Sequence, residues 1–354
     1  MKIGKRLLVL TLVFALVLVM SACGGGGGEG GDKEAVVLKF HHAEPPTDVS
    51  GLFFQKWADE VTANSNGTLK VDVYPGAALG AAQDSIDMLL NGTCDIAWSV
   101  PAYFQGRFPM TDVMYLPMMG MDNGPMASQV FWDIYAETDY MDKEYEQFKV
   151  IALFCHADVP ISLKGKKVEK LADFKGLKFR VAGGIMTDYV KELGASPVSI
   201  PAPDIYTSLE RGVINGTVAD WHLIDAFKLY EQTEYYLDAK IYSGPLFILM
   251  NKDVYESLPE EAKKAIDDYS GQVCVTEIAN EWSSTRDECM EGINANNGEV
   301  YEPSAELIAE MTKAAEPVWE KWIKENEAKG LPAQKVFDFV KNAANDPKYT
   351  ALKK

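Results

Sequence analysis

The stretch VVLKFHHAEPPTDVSGLFFQKWADEVTANSNGTLKVDVYPGAALGAAQDSIDMLLNGTCDIAWSV, residues 36–100, decides the fold class. Val36 to Phe40 is a short β-branched and apolar run, followed by the polar loop His41-His42-Ala43-Glu44-Pro45-Pro46. Leu52, Phe53, Trp57 and Val61 then recur at helical spacing, and Gly67 breaks the pattern. Leu69 to Tyr74 alternates as a strand, Pro75-Gly76 turns, Ile86, Leu89 and Leu90 open a second amphipathic helix that Asn91-Gly92 ends, and Asp95 to Val100 reads as a third strand. This βαβαβ order predicts a mainly parallel sheet with helices on its faces. In such sheets ligands gather beyond the carboxyl ends of the strands, so the loops after them are where binding groups are sought.

Working outward, the rhythm restarts past Lys149. Val150 to Phe154 and Gly176 to Val181 read as strands, Thr187 to Leu193 as a helix ended by Gly194, Ala195 to Ile200 as a strand, and Asp204 to Arg211 as a helix ended by Gly212. Leu246 to Met250 is strand-like again, and from Glu260 onward long helical patterns run through Trp282, Trp319, Trp322 and Phe337. The expectation is an α/β, two-lobed fold of periplasmic-binding-protein type with bracing C-terminal helices. The chain crosses between lobes near 150–156 and 245–251. The expected division is 34–153 with 251–300 for the first lobe, 154–250 for the second, and 301–354 for the helical brace.

The N-terminus reads as an export signal. Lys2, Lys5 and Arg6 precede the apolar run Leu7 to Met20, and Ser21-Ala22 follows it. That run has 14 residues, short of the roughly 20 a membrane-spanning helix needs. Met20-Ser21-Ala22-Cys23 resembles a bacterial lipobox, which implies lipidation at Cys23, and the glycine-rich stretch Gly24 to Gly31 suits a flexible tether. Residues 1–22 are therefore expected to be a signal peptide and 23–33 a lipidated cysteine with its linker. The localisation expected is extracytoplasmic, anchored to the bacterial cell membrane as a lipoprotein.

Composition narrows the chemistry. Across 354 residues, 52 acidic groups outnumber 34 basic ones, giving a formal net charge of −18. Nucleic-acid backbones need a basic patch, so they are poor partners for this chain. Cys94, Cys155, Cys274 and Cys289 show no CxxC or Cys/His ligand spacing, so no structural metal is expected. Cys274 and Cys289 stand 15 residues apart in one helical pattern, about 22 Å and too far for a bridge. There is no G-x-S-x-G elbow, no phosphate loop, and no histidine pair at helical metal-site spacing. Neither catalysis nor a cofactor is indicated.

Arginine is scarce, with five among the 34 basic residues, so each has a specific use. Its planar fork grips a carboxylate through two hydrogen bonds. In Leu177-Lys178-Phe179-Arg180-Val181 the period of two sets Arg180 opposite Leu177, Phe179 and Val181, at the strand's end just before Ala182-Gly183-Gly184. That is a ligand-facing position. Arg107, in Gly106-Arg107-Phe108-Pro109, fits a site and a structural ion pair equally well. His42 and His156 lie after the first strand of each unit, where each could bond an anion or be satisfied by backbone groups. Tyr103, Phe104, Trp98, Trp221 and Phe247 sit at or near strand ends, placed to wall a pocket or to pack the core.

Val168-Glu169-Lys170-Leu171-Ala172-Asp173-Phe174 running into Lys175 to Val181, then Leu193 to Val198, Tyr206 to Gly216, Val73 to Gly80 and Asn91 to Ala97, together resemble the extracytoplasmic solute receptors of tripartite ATP-independent periplasmic (TRAP) transporters. The resemblance spans nearly all of residues 36–345. It implies two lobes closing over a small organic acid, an arginine at the Arg180 position holding its carboxylate, and delivery to a membrane permease without turnover. One departure matters. Gly216 is followed by Thr217-Val218-Ala219-Asp220-Trp221 where many members carry Glu-Asn, which points away from sialate-like or simple dicarboxylate solutes. Trp221, Tyr103, Phe104, the Gly106–Pro109 segment and His156 in Phe154-Cys155-His156 are similar to a subgroup with a more aromatic pocket. A receptor for an ABC-type importer or an exported enzyme acting on organic acids are the alternatives.

Overall fold

The structure, a computed structural model, describes residues 35–353. The expected signal, the Cys23 lipidation site and the glycine linker lie outside the described residues. Residues from Ala35 on form one compact unit.

β1 (Val36–His41) is followed by α1 (Val49–Asn64) and β2 (Leu69–Tyr74), then α2 (Ser85–Asn91) and β3 (Ile96–Ser99). Asp48 starts α1 by accepting a hydrogen bond from the Gly51 amide, and Gly51 is obligatory because a Cβ there would lie 2.2 Å from the Pro45 carbonyl oxygen. Phe53, Phe54, Trp57 and Val61 turn inward, and each large apolar side chain so buried contributes about 1.5–3 kcal/mol. Gly92 ends α2 in the left-handed conformation, as the Asn91-Gly92 pair predicts.

The first sheet has the order β2-β1-β3-β10-β4, with β4 at Phe148–Cys155 and β10 at Pro245–Asn251. The three N-terminal strands are parallel, but β10 runs antiparallel to both β3 and β4, so the sheet is mixed rather than mainly parallel. β10 also moves the expected lobe boundary. It pairs into the first sheet along its whole length, so residues 245–250 belong with lobe one.

The second sheet runs β11-β9-β5-β8-β6-β7. It contains β5 (Ile161–Leu163), β6 (Lys178–Val181), β7 (Ser196–Ser199), β8 (Gly216–Val218), β9 (Tyr235–Leu237) and β11 (Glu299–Tyr301). β11 pairs with β9, which places residues 299–301 in the second lobe rather than at the junction of the first lobe and the helical brace. The helices α4 (Ile185–Glu192) and α5 (Ile205–Glu210) follow β6 and β7, as the alternation in the sequence predicts. β5, β9 and β11 have three residues each, too few to show a period.

The two crossing segments run beside each other between the sheets. The His156 amide donates to the Gly244 carbonyl at 3.1 Å, and Val159 to Tyr242 at 3.2 Å. Two helices span both lobes. After α7 (Glu260–Asp268), α8 (Gln272–Ala295) runs for 24 residues, about 36 Å, burying Val275, Ile278 and Trp282 on the first core and Cys289 and Ile293 on another. α9 (Ala305–Glu327) donates through Trp319 to the Pro117 carbonyl and through Trp322 to the Pro109 carbonyl of lobe one, while the Tyr189 hydroxyl on α4 of lobe two donates to Met311 of α9. α10 (Ala333–Ala343) packs on α3 (Gly124–Glu137) of lobe one. α6 (Trp221–Ala226) completes the second lobe beside the cleft. All four cysteines among the described residues are free and buried, and Cys274 and Cys289 share α8 as their spacing requires. No helix among the described residues is long and apolar enough to cross a membrane.

Candidate functional site

The carboxyl ends of the parallel strands from both sheets converge on one cavity between the lobes. Trp98 and Val100 reach it from the end of β3, Arg180 and Ala182 from β6, and Ala219 and Asp220 from β8. Tyr103, Tyr115, Tyr242 and Trp282 join Trp98 as aromatic walls of the cavity. Glu44, Trp98, Tyr103 and Ala202 also line a second cavity that adjoins the first.

Arg180 is 3% exposed, although it lies on a strand whose other face, Phe179 and Val181, is core. Its Nε donates to the Ile200 carbonyl at 2.8 Å. That bond orients the guanidinium, whose terminal N–H groups are left for Tyr103 and the cavity. Tyr103 faces Arg180 and the Ala202 backbone; burial raises the Tyr103 pKa, and the guanidinium opposes the rise. A neutral phenol and a fixed cation therefore stand side by side.

Across the cleft the groups are acidic. Asp220 caps α6 by accepting from the Leu223 amide at 3.2 Å and also accepts from the Trp282 indole at 3.0 Å. His222, the second residue of α6, places Nε2 3.5 Å from Asp48 of lobe one and packs tilted against Trp282 with ring centroids 4.3 Å apart. The Asp48–His222 pair thus bridges the lobes. Burial works against both charges, yet their contact prevails: the His222 pKa is raised and the Asp48 pKa lowered. Glu44 has no such partner, and burial pushes its pKa up to about 8 despite His222, with Asp48 and Asp220 adding to the rise. Glu44, Asp48 and His222 present ligand atoms within 4.8 Å of one another, the set among the described residues with donor types for a cation.

Of the residues singled out from sequence, Arg180, Tyr103, Trp98 and His156 meet at this cavity. His156 is also satisfied by backbone, with Nδ1 2.7 Å from the Ala157 carbonyl oxygen and the Gly244 amide donating to its Nε2 at 3.1 Å. The other five are placed elsewhere. His42 continues the β1 ladder, its amide bonded to Tyr74, so the period of two puts its ring with Phe40 against Phe54, and burial lowers its pKa to about 4. Phe247 lies within β10, fully buried on the face opposite Leu246 and Ile248, and Phe104 packs onto it at 6.1 Å. Arg107 sits at a separate surface depression, donating to Gln147 at 2.9 Å over the Phe148 ring. Trp221 is buried behind α6, donating to Asp158 at 3.1 Å beneath the Arg286 guanidinium.

Glu44, Asp220, His222, Tyr115, Tyr242 and Trp282 escaped sequence reasoning. For Glu44 a signal exists: it is the one acid in the loop after the first strand, ahead of Pro45-Pro46. Trp282 carries none, since an inward tryptophan on a long helix reads as core.

Comparison with known proteins decides the family. The model for bacterial extracellular solute-binding protein, family 7, matches residues 40–326. The chain belongs to this family. A marine metagenome TRAP solute-binding protein specific for aromatic acid ligands, solved with metahydroxyphenylacetate, is 32% identical, with 89% of this chain and 99% of that one covered at a TM-score of 0.83. A TRAP solute-binding protein from Rhodoferax ferrireducens, solved with copurified benzoate, is 27% identical with 90% and 99% covered at 0.84. The 2,3-diketo-L-gulonate-binding periplasmic protein of Escherichia coli is 26% identical over 234 residues, 65% of this chain and 70% of the relative. As a TRAP solute receptor, this protein has the two-lobed α/β architecture that its sequence pattern predicts.

Proposed function

We propose that this receptor captures an aromatic monocarboxylate between its lobes and hands it to a TRAP permease. The observation that carries the reading is a backbone-anchored, buried arginine facing a cavity walled by Trp98, Tyr103, Tyr115, Tyr242 and Trp282. Arg180 would hold the carboxylate through its free N–H groups, with Tyr103 beside it, while the ring stacks among the aromatics. The solute then joins a lobe-two arginine to lobe-one walls, so binding favours the closed arrangement that the Asp48–His222 contact also holds. The aromatic acids bound by the two similar solved receptors support this class.

Residues 33–354, refolded to remove carried-over solute, test the reading in a thermal-shift screen of aromatic, aliphatic, sugar and dicarboxylic acids. At 100 times its dissociation constant a true solute stabilises by about 2.7 kcal/mol. Hits confined to aromatic monocarboxylates are expected; hits confined to sugar acids or dicarboxylates would overturn the assignment. Capture is proposed to occur without turnover, so the solute should be recovered chemically unchanged after prolonged incubation. Lipid attachment at Cys23 is part of the same proposal, supported by Met20-Ser21-Ala22-Cys23 and the glycine tether. Labelled palmitate should enter the wild-type protein in an expressing bacterium but not Cys23→Ser.

A further inference from the structure

Resting on the aromatic-carboxylate reading, we propose that Glu44 binds a hydroxyl on the solute, at the end away from the carboxylate, so that hydroxylated aromatic monocarboxylates are the preferred class. Glu44 leaves β1 of the first lobe and lines both adjoining cavities, while Arg180 enters from β6 of the second. It is 8% exposed, and among the described residues its carboxyl makes no hydrogen bond. Buried polar groups are nearly always hydrogen-bonded, so one left over at a ligand cavity marks a contact that the ligand supplies.

Its neighbours show why the missing partner is a hydroxyl. The charged groups facing Glu44 are Asp48, Asp220 and His222, and Tyr103 lies near both Glu44 and Arg180. Asp220 already accepts from Leu223 and Trp282, and Asp48 from Ser50 and Gly51 while pairing with His222. Of the three acids, Glu44 is the one whose carboxyl makes no hydrogen bond among the described residues. A second carboxylate on the solute would meet Asp48 and Asp220 at close range and be repelled. A carboxyl accepts from a hydroxyl when ionised and both donates to it and accepts from it when protonated, the form that burial favours here by raising the Glu44 pKa to about 8. A solute held at both ends by different lobes also rewards closure more than one held at a single end.

The test compares benzoate, its three hydroxy isomers, 3-methylbenzoate and isophthalate by calorimetry on solute-free wild type, Glu44→Gln and Glu44→Leu. In wild type the best hydroxy isomer should bind at least tenfold tighter than benzoate and than 3-methylbenzoate, a comparison that needs no variant. Isophthalate should be weakest. Glu44→Leu should bring the hydroxy isomer and benzoate within about twofold of each other, while Glu44→Gln, whose amide donates and accepts, keeps part of the preference. Equal binding of hydroxy and unsubstituted acids by wild type, or an undiminished preference in Glu44→Leu, overturns the inference and leaves the aromatic reading standing. If no aromatic monocarboxylate binds the folded wild type, the broader reading falls and takes this one with it.

Discussion

Replacing Arg180 by lysine tests the anchor most directly, because the charge is kept and only the fork is lost. In the wild type Nε is committed to Ile200 at 2.8 Å, and the remaining N–H groups are free to grip a carboxylate. Lysine has one ammonium at the end of a flexible stem. It can satisfy the Ile200 carbonyl or the solute, and it offers no planar pair of donors to either. A hydrogen bond involving a charged group is worth about 1.5–3 kcal/mol. At about 1.4 kcal/mol per tenfold, losing one such bond weakens binding about tenfold to a hundredfold. The Ile200 bond is one charge-assisted contact of about 1.5–3 kcal/mol that the lysine ammonium can replace in part, so the fold should persist with a modest loss of melting temperature. Calorimetry on refolded, solute-free Arg180→Lys, beside circular dichroism to confirm native structure, measures this. An affinity within twofold of wild type, from a protein that is folded, would refute the assignment of Arg180 as the carboxylate anchor.

Three further outcomes are expected. Burial raises Glu44 and Asp112 to about 8 and Glu144 to about 7, above their values in an unfolded chain. Between roughly pH 4.5 and 8 the folded state therefore binds more protons, so stability is present at the acid end and lost as pH rises. The raised His222 acts in the same direction. The melting temperature of the solute-free protein should fall between pH 6 and 8.5, and Glu44→Gln should flatten part of that fall; a melting temperature that rises over this range contradicts the proton balance. Gly216 lies in β8 where a Cβ would stand 2.2 Å from the Ser162 carbonyl oxygen and 2.8 Å from the Phe179 ring, so Gly216→Ala should destabilise by at least about 1–3 kcal/mol in urea titration, and an unchanged midpoint would show that the strands can part at no cost. Cys94, Cys155, Cys274 and Cys289 are buried free thiols, so residues 33–354 should resist Ellman's reagent when native and release four equivalents in guanidinium. Fewer than four would reveal a disulfide.

The alternation of strands and helices was legible because each period is local. Phe53, Trp57 and Val61 announce α1, and the Gly92 left-handed cap announces where α2 stops, without reference to any distant residue. Arg180 was legible for the same reason: a charged residue alternating with Leu177, Phe179 and Val181 must leave the core at the end of its strand, where open α/β sheets bind ligands. Tyr103 and His156 followed from their places just after strands.

What the sequence could not reveal is which side of a strand end becomes cavity and which becomes core. His42 and Glu44 share one loop, yet the ladder continues through His42 and buries its ring on α1, while Glu44, two residues on, emerges into the cleft. Phe247 and Leu246 are neighbours on β10, and only the antiparallel insertion between β3 and β4 determines that Leu246 borders the cavity and Phe247 the core. Asp48, Asp220, His222 and Trp282 come from three helices far apart in sequence, and their meeting depends on how the lobes close. Local periodicity follows from backbone geometry within a few residues, so the elements, their order and the strand-end place of Arg180 can be read from the sequence. The acidic pole of the cavity depends on long-range packing between two sheets and a helix spanning both, contacts that no local pattern encodes.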